Sequence, residues 1–150
     1  MTEDDIVNML HYKQSCEIQK KGISLALQED NLFFLLQYSV MPEYSYNCAT
    51  IFTMLEYEKC AKYFDDLFSW IEDLNEPNAF MIIEYLSDAP MELVYDSLVR
   101  AMSACVKRKN IINAQTINTV ISTNEKTLTL LEQNESTLFS DFKSLLENTI

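Results

Sequence analysis

One glycine and three prolines in 150 residues leave little of the turn chemistry that a sheet-rich fold needs, against average usage of about 7% and 5%. The chain reads as helical throughout. No apolar run reaches the roughly 18 residues of a membrane span, and the opening MTEDDIVNML is acidic where a secretory leader is basic and then apolar. A soluble, cytoplasmic protein is expected. Cys16, Cys48, Cys60 and Cys105 stand far apart with no CxxC pair, and His11 is the single histidine, so neither a zinc site nor a disulfide framework is indicated. The four thiols read as buried and free, and His11 as a surface residue at a helix end. A phosphate-binding glycine loop, HExxH and GxSxG are all missing. Neighbouring acids such as Asp65 with Asp66, or Glu72 with Asp73, have the chemistry for acid–base work or cation binding, but on a helix face they read as solvated. The expectation is a non-enzyme without metal or cofactor.

What the chain does have is apolar spacing. At 48% hydrophobic content it is long enough for one core and too short for two, so residues 1–150 are read as a single domain. Cys60, Phe64, Leu67, Phe68, Ile71 and Leu74 step by three and four, which predicts an amphipathic helix of about four turns with Lys62, Asp65, Asp66, Ser69, Glu72 and Asp73 outward. Trp70 falls near this stripe and reads as core. In WIEDLNEPNAF, Pro77 removes a backbone donor and restricts Glu76, so the helix is expected to stop near Leu74, with Asn75 in the left-handed turn and Pro77 opening the next helix. That helix carries Ala79, Ile82, Ile83 and Leu86. In SDAP, Asp88 is expected to cap and Pro90 to open a further helix through Val94, Leu98, Ala101, Met102 and Cys105.

Upstream, helices are expected near 3–12, 16–29 and 45–56, with a short apolar turn at 31–37. Downstream, IINAQTINTVISTNEKTLTLLEQ reads as one long helix or two, and STLFSDFKSLLEN sets Leu138, Phe142, Leu145 and Leu146 on one side of the last. Short helices and tight turns point to an α-solenoid or a bundle. Gly22, inside an otherwise good helix, marks either a close helix crossing or local flexibility.

Charge is distributed unevenly. Asp and Glu outnumber Lys and Arg by 18 to 6 through Arg100 and stand at 5 to 5 beyond it, so the net charge of −12 belongs to the first two-thirds. Such a field repels nucleic acid and anionic membrane and steers a basic protein partner toward it. A solvated surface that only maintains solubility is the plainer alternative.

KGISLA at 21–26, NLFFLLQ at 31–37, NCATIF at 47–52 and above all WIEDLNEPNA at 70–79 resemble a family of short bacterial HEAT-repeat-like proteins. The resemblance spans roughly 5–104. Its members are often immunity proteins of polymorphic toxin systems, which bind and neutralise a cognate toxin. Glu76 and Asn78 flank Pro77 where the family has an aromatic residue and a glycine. The resemblance implies a HEAT-like helical-hairpin solenoid, an α-α superhelix, over 1–104, with 105–150 as added capping helices. It also implies a binding function directed at a toxin, and the acidic field makes a basic toxin domain the expected partner. The acids expected to meet it are Asp65, Asp66, Glu72, Asp73 and Glu76, with Asp88, Glu92 and Asp96 on the following helices and Tyr63 and Tyr95 as aromatic anchors. The alternative is a HEAT-type adaptor that takes a peptide or helix in its groove.

Overall fold

The computed structural model describes residues 1–147, and among these the regular structure is helix, with no strand. Helix α1 (Glu3–Met9) begins in a reciprocal cap: the Asp5 amide donates to Thr2 Oγ1, and the Thr2 amide donates to the Asp5 carboxylate at 2.9 Å. Those bonds to the charged form hold the Asp5 carboxyl below its ordinary value. Ser15 caps α2 (Cys16–Leu27), a short α3 (Phe33–Leu36) follows, and Pro42 opens α4 (Pro42–Met54) at the position where a missing amide donor costs nothing.

The expected four-turn helix is broken into α5 (Tyr57–Cys60), a 3-10 turn at Ala61–Tyr63 and α6 (Phe64–Trp70). Its apolar stripe is buried from Cys60 to Ile71, but Leu74 is 56% exposed because the helix has ended before reaching it. Tyr63 lies inside the break. Its hydroxyl accepts the Leu32 amide at 2.7 Å, and its ring meets Phe33 and Phe52 edge to face.

WIEDLNEPNAF joins two helices, as expected, though with different punctuation. The left-handed residue is Asn78 (φ 60°), not Asn75, and Pro77 precedes α7 (Ala79–Ser87) by two residues where it was expected at the first helical position. Asn tolerates this backbone better than most side chains. The loop is fixed through the Pro77 carbonyl, which accepts from the Trp70 indole at 2.9 Å and from Ser45 Oγ at 3.0 Å, while Asn78 Nδ2 donates to Ser45 Oγ. Trp70 is core, as its place on the stripe implied.

Pro90 immediately precedes α8 (Met91–Arg108), whereas Asp88 ends α7 and makes no side-chain cap to α8. The long downstream segment is two helices, α9 (Ile111–Ile121) and α10 (Glu125–Asn134), each capped by an asparagine side chain, Asn110 and Asn124. In α11 (Ser136–Glu147), Phe139 and Phe142 are buried and Leu138, Leu145 and Leu146 pack half-buried against the core.

Paired contacts give the helix directions. Ser45 and Asn78 meet at the starts of α4 and α7, and Leu55 accepts from Tyr85 Oη near their ends at 2.8 Å, so these two helices run parallel. Asp65 meets Arg100 and Glu72 meets Arg108, so α6 and α8 also run parallel. At the other end, α1 crosses α2 at Gly22, where a Cβ would stand 2.7 Å from Met9 Cβ and 3.1 Å from Leu10 Cδ2. A close crossing, not flexibility, accounts for the glycine. No helix among the described residues is long and apolar enough to cross a membrane.

Candidate functional site

The ten residues expected to meet a partner do not share one face. Asp65 and Glu72 line a cleft of about 190 Å³ between α6 and α8, where Arg100 donates to the Asp65 carboxylate at 3.1 Å and Arg108 stands 3.6 Å from Glu72. Both acids thus have a cation beside them, in pairs that are largely exposed. Asp66, its neighbour by sequence, looks the other way into a hollow beside Leu36, Ser39, Val40 and Trp70, and partial burial and the Asp65 charge raise its carboxyl above the ordinary value. Asp73 accepts from the Asn75 amide and shapes its own turn, and Glu76 is half-buried in the same loop. Glu92 and Asp96 are exposed on α8.

The aromatic anchors separate. Tyr63 is 1% exposed and holds the fold together, so it is removed from the candidate surface. Its place in the break between α5 and α6 turned it inward, which regular helical spacing does not foresee. Tyr95 is half-buried, with its hydroxyl 3.4 Å from the Leu130 carbonyl, and ties α8 to α10.

Asp88 belongs to a different feature. It lines, with Thr53, Tyr57, Met81, Glu84 and Tyr85, an open groove of about 330 Å³ between α4–α5 and α7. The Tyr57 and Tyr85 rings lie 4.6 Å apart at a 32° tilt, and each hydroxyl is committed to a backbone carbonyl: Tyr57 donates to Tyr85 at 3.1 Å, and Tyr85 to Leu55 at 2.8 Å. Burial raises both phenols above their ordinary value; the Asp88 charge adds to this for Tyr57, and Glu58 contributes for Tyr85. Glu58, Glu84 and Asp88 take part in neither of the two ion pairs found among the described residues. Tyr57, Met81, Glu84 and Tyr85 were not singled out from sequence; the one signal available was the four-residue step from Glu84 to Asp88 on a single helix face.

Burial pushes the Cys48 thiol up to about 12 and the Cys60 and Cys105 thiols to about 11, so their thiolates are suppressed at neutral pH. Cys16 is exposed, contrary to the expectation of four buried thiols, because it opens α2 on the outer side. His11 is half-buried, stacked on Tyr12 with Tyr44 edge-on, and its Nδ1 accepts the Lys13 amide. No three His, Cys, Asp or Glu side chains among the described residues gather as a metal site requires. No family model, curated protein or solved structure matches the chain.

Proposed function

We propose that the protein is a non-enzymatic binding module, an immunity protein of the cytoplasm that covers and neutralises a basic toxin domain with its acidic surface. The observation that carries this reading is uncompensated charge. Only Asp65 and Glu72 are ion-paired among the described residues, and Lys59 and Lys62 donate instead to the Leu27 and Asp30 carbonyls, so most acids before Arg100 face solvent without a cation. A surface of this kind raises the encounter rate with a cationic partner and rejects polyanions.

A HEAT-like solenoid is the architecture we assign to it. The parallel runs of α4 with α7 and of α6 with α8 support that assignment, since stacked helical hairpins repeat their directions in this way. So does Asn78, left-handed at the position where the resembling family carries glycine. In the same reading α9, α10 and α11 close the end of the stack as capping helices.

The test is titration of the purified protein with the product of the neighbouring toxin gene, together with growth rescue when the two are co-expressed. Tight, salt-sensitive binding and rescue are expected; absence of both overturns the immunity reading. A HEAT-type adaptor for peptides is the second reading, favoured by the groove at Tyr57 and Tyr85, and it predicts peptide binding with no toxin partner.

A further inference from the structure

The groove between α4–α5 and α7 sets aromatic and thioether side chains beside carboxylates. Thr53, Met81 and the faces of Tyr57 and Tyr85 form it, and Glu84 and Asp88 stand on its rim. The phenol hydroxyls are turned into the protein and bonded, so the rings present carbon to the groove. Those bonds also fix the walls before anything binds, which lowers the ordering cost of association. Elsewhere on α4, Tyr46 and Met54 are 62% and 58% exposed.

The charge of the groove has one sign. Glu84 and Asp88, one helical turn apart, have no cationic partner among the described residues, and Glu58 is close enough to influence Tyr85. Lys59, next to Glu58 in sequence, points its ammonium at the Leu27 carbonyl. Apolar walls with an anionic rim complement a side chain that is apolar along its stem and cationic at its tip, which describes lysine and arginine. Aspartate, glutamate, phosphate and uncharged polar side chains lack one or both features.

We propose that this groove is a docking site for a lysine or arginine side chain presented by a basic protein partner, its stem lying against Met81 and the Tyr57 ring and its charge between Glu84 and Asp88. The proposal deepens the binding reading above and rests on it for the nature of the partner. Asp65 and Glu72, by contrast, are already engaged by Arg100 and Arg108 and contribute to the long-range field only.

The test uses two short acetylated, amidated peptides, one with two lysines and a leucine, the other with glutamates in place of the lysines, titrated into the isotopically labelled full chain by NMR. The lysine peptide is expected to shift the amide signals of Tyr57, Glu84, Tyr85 and Asp88 first, and the glutamate peptide to leave them in place. The double variant Glu84→Gln with Asp88→Asn should weaken the lysine peptide about tenfold, while Asp65→Asn with Glu72→Gln, which removes the same charge elsewhere, should change it less than about twofold. Equal weakening by both doubles would reduce the groove to part of a diffuse field, and no weakening by the first would remove it as a site. The toxin separates the two readings: unchanged toxin affinity in the groove double overturns the site and leaves the immunity reading standing. Peptide binding at the groove with no toxin binding does the reverse.

Discussion

The indole N–H of Trp70 donates to the carbonyl of Pro77 at 2.9 Å, seven residues along the chain, and closes the α6–α7 loop onto the last residue of α6. Trp70 is also 4% exposed, so it serves the core and the loop together. Trp70→Phe keeps much of the apolar volume and loses the bond; with Ser45 still donating to Pro77, a loss of about 1–2 kcal/mol is expected. Trp70→Ala should cost about 3–5 kcal/mol. Urea unfolding followed by circular dichroism reads both, and a phenylalanine variant within experimental error of the parent would separate the bond from stability.

Gly22→Ala should destabilise the protein. Alanine favours helix over glycine by about 1 kcal/mol, but the added Cβ would stand 2.7 Å from Met9 Cβ, a side-chain atom one bond from backbone with little room to yield. Overpacking of this kind costs about 1–3 kcal/mol, so a net loss is expected in thermal or urea unfolding. A more stable alanine variant would remove the close crossing of α1 and α2 as the reason for the glycine.

Asn78 and Pro77 should respond differently to alanine. Asn78→Ala places a Cβ-bearing side chain without local hydrogen bonds in the left-handed region and removes the bond to Ser45, for an expected loss of about 1–2 kcal/mol; Asn78→Gly, which relieves the backbone, should lose less. Pro77→Ala should lose no more than about 1 kcal/mol, because proline there mainly restricts the unfolded chain. The decisive reading is a lower unfolding midpoint for Asn78→Ala than for Asn78→Gly, and the opposite order would take the left-handed backbone out of the explanation.

Thiol chemistry and alkaline stability should follow burial. Cys16 alone is exposed, so a thiol reagent is expected to titrate it in the native protein and to reach Cys48, Cys60 and Cys105 only on unfolding. Their pKa values are raised from 9.0 to about 11 or 12 by burial, so between pH 9 and pH 11 the unfolded chain releases protons that the folded chain retains. Their stabilising contribution is therefore complete below pH 9 and declines as pH rises through that window. Urea midpoints measured across pH 8–11 should fall, and Cys48→Ala should flatten the fall; a steeper slope in that variant would reverse the assignment.

Neutralising Asp65, Asp66, Glu72 and Asp73 together should slow association with a basic partner by about tenfold at low salt and flatten its salt dependence. The two ion pairs lost are largely exposed, and such pairs contribute at most about 1 kcal/mol, so helicity and melting should hold. Tyr95→Ala is expected to act on the dissociation rate if Tyr95 is a contact. Surface-binding kinetics at two salt concentrations separate these effects, and unchanged rates would leave the charge as a solubility feature.

The helices were legible wherever apolar spacing was regular. The helix start beside Pro90 and the inward placing of Trp70 follow from three-four periodicity and proline, and the helix expected at 16–29 is found at Cys16–Leu27. The break at Ala61–Tyr63 was not, because its cause is remote: the Tyr63 hydroxyl reaches Leu32, 31 residues earlier, and local spacing contains no trace of that bond. The choice of Asn75 over Asn78 for the left-handed turn failed for a related reason, since either asparagine suits the backbone and Ser45 on α4 decides between them. The groove lay further out of reach. Its two tyrosines are 28 residues apart and meet only once α4 and α7 lie parallel, so the charge of the segment was readable and its apolar walls were not.

The clamp at the Pro77 carbonyl fixes the rotational phase of everything that follows it. Trp70 and Ser45 hold that oxygen from two different helices, and α7 begins two residues later, so the angle at which α7 starts its spiral is inherited from α4 and α6. One residue inserted between Ile71 and Asp73 would lengthen the exposed turn and leave the phase alone. The same residue inserted between Pro77 and Ala79 would rotate α7 by about 100°, carrying Ile83 into the exposed place of Glu84 and Glu84 into the buried place of Tyr85. Length variation in this chain is therefore tolerated or ruinous according to which side of one carbonyl it falls.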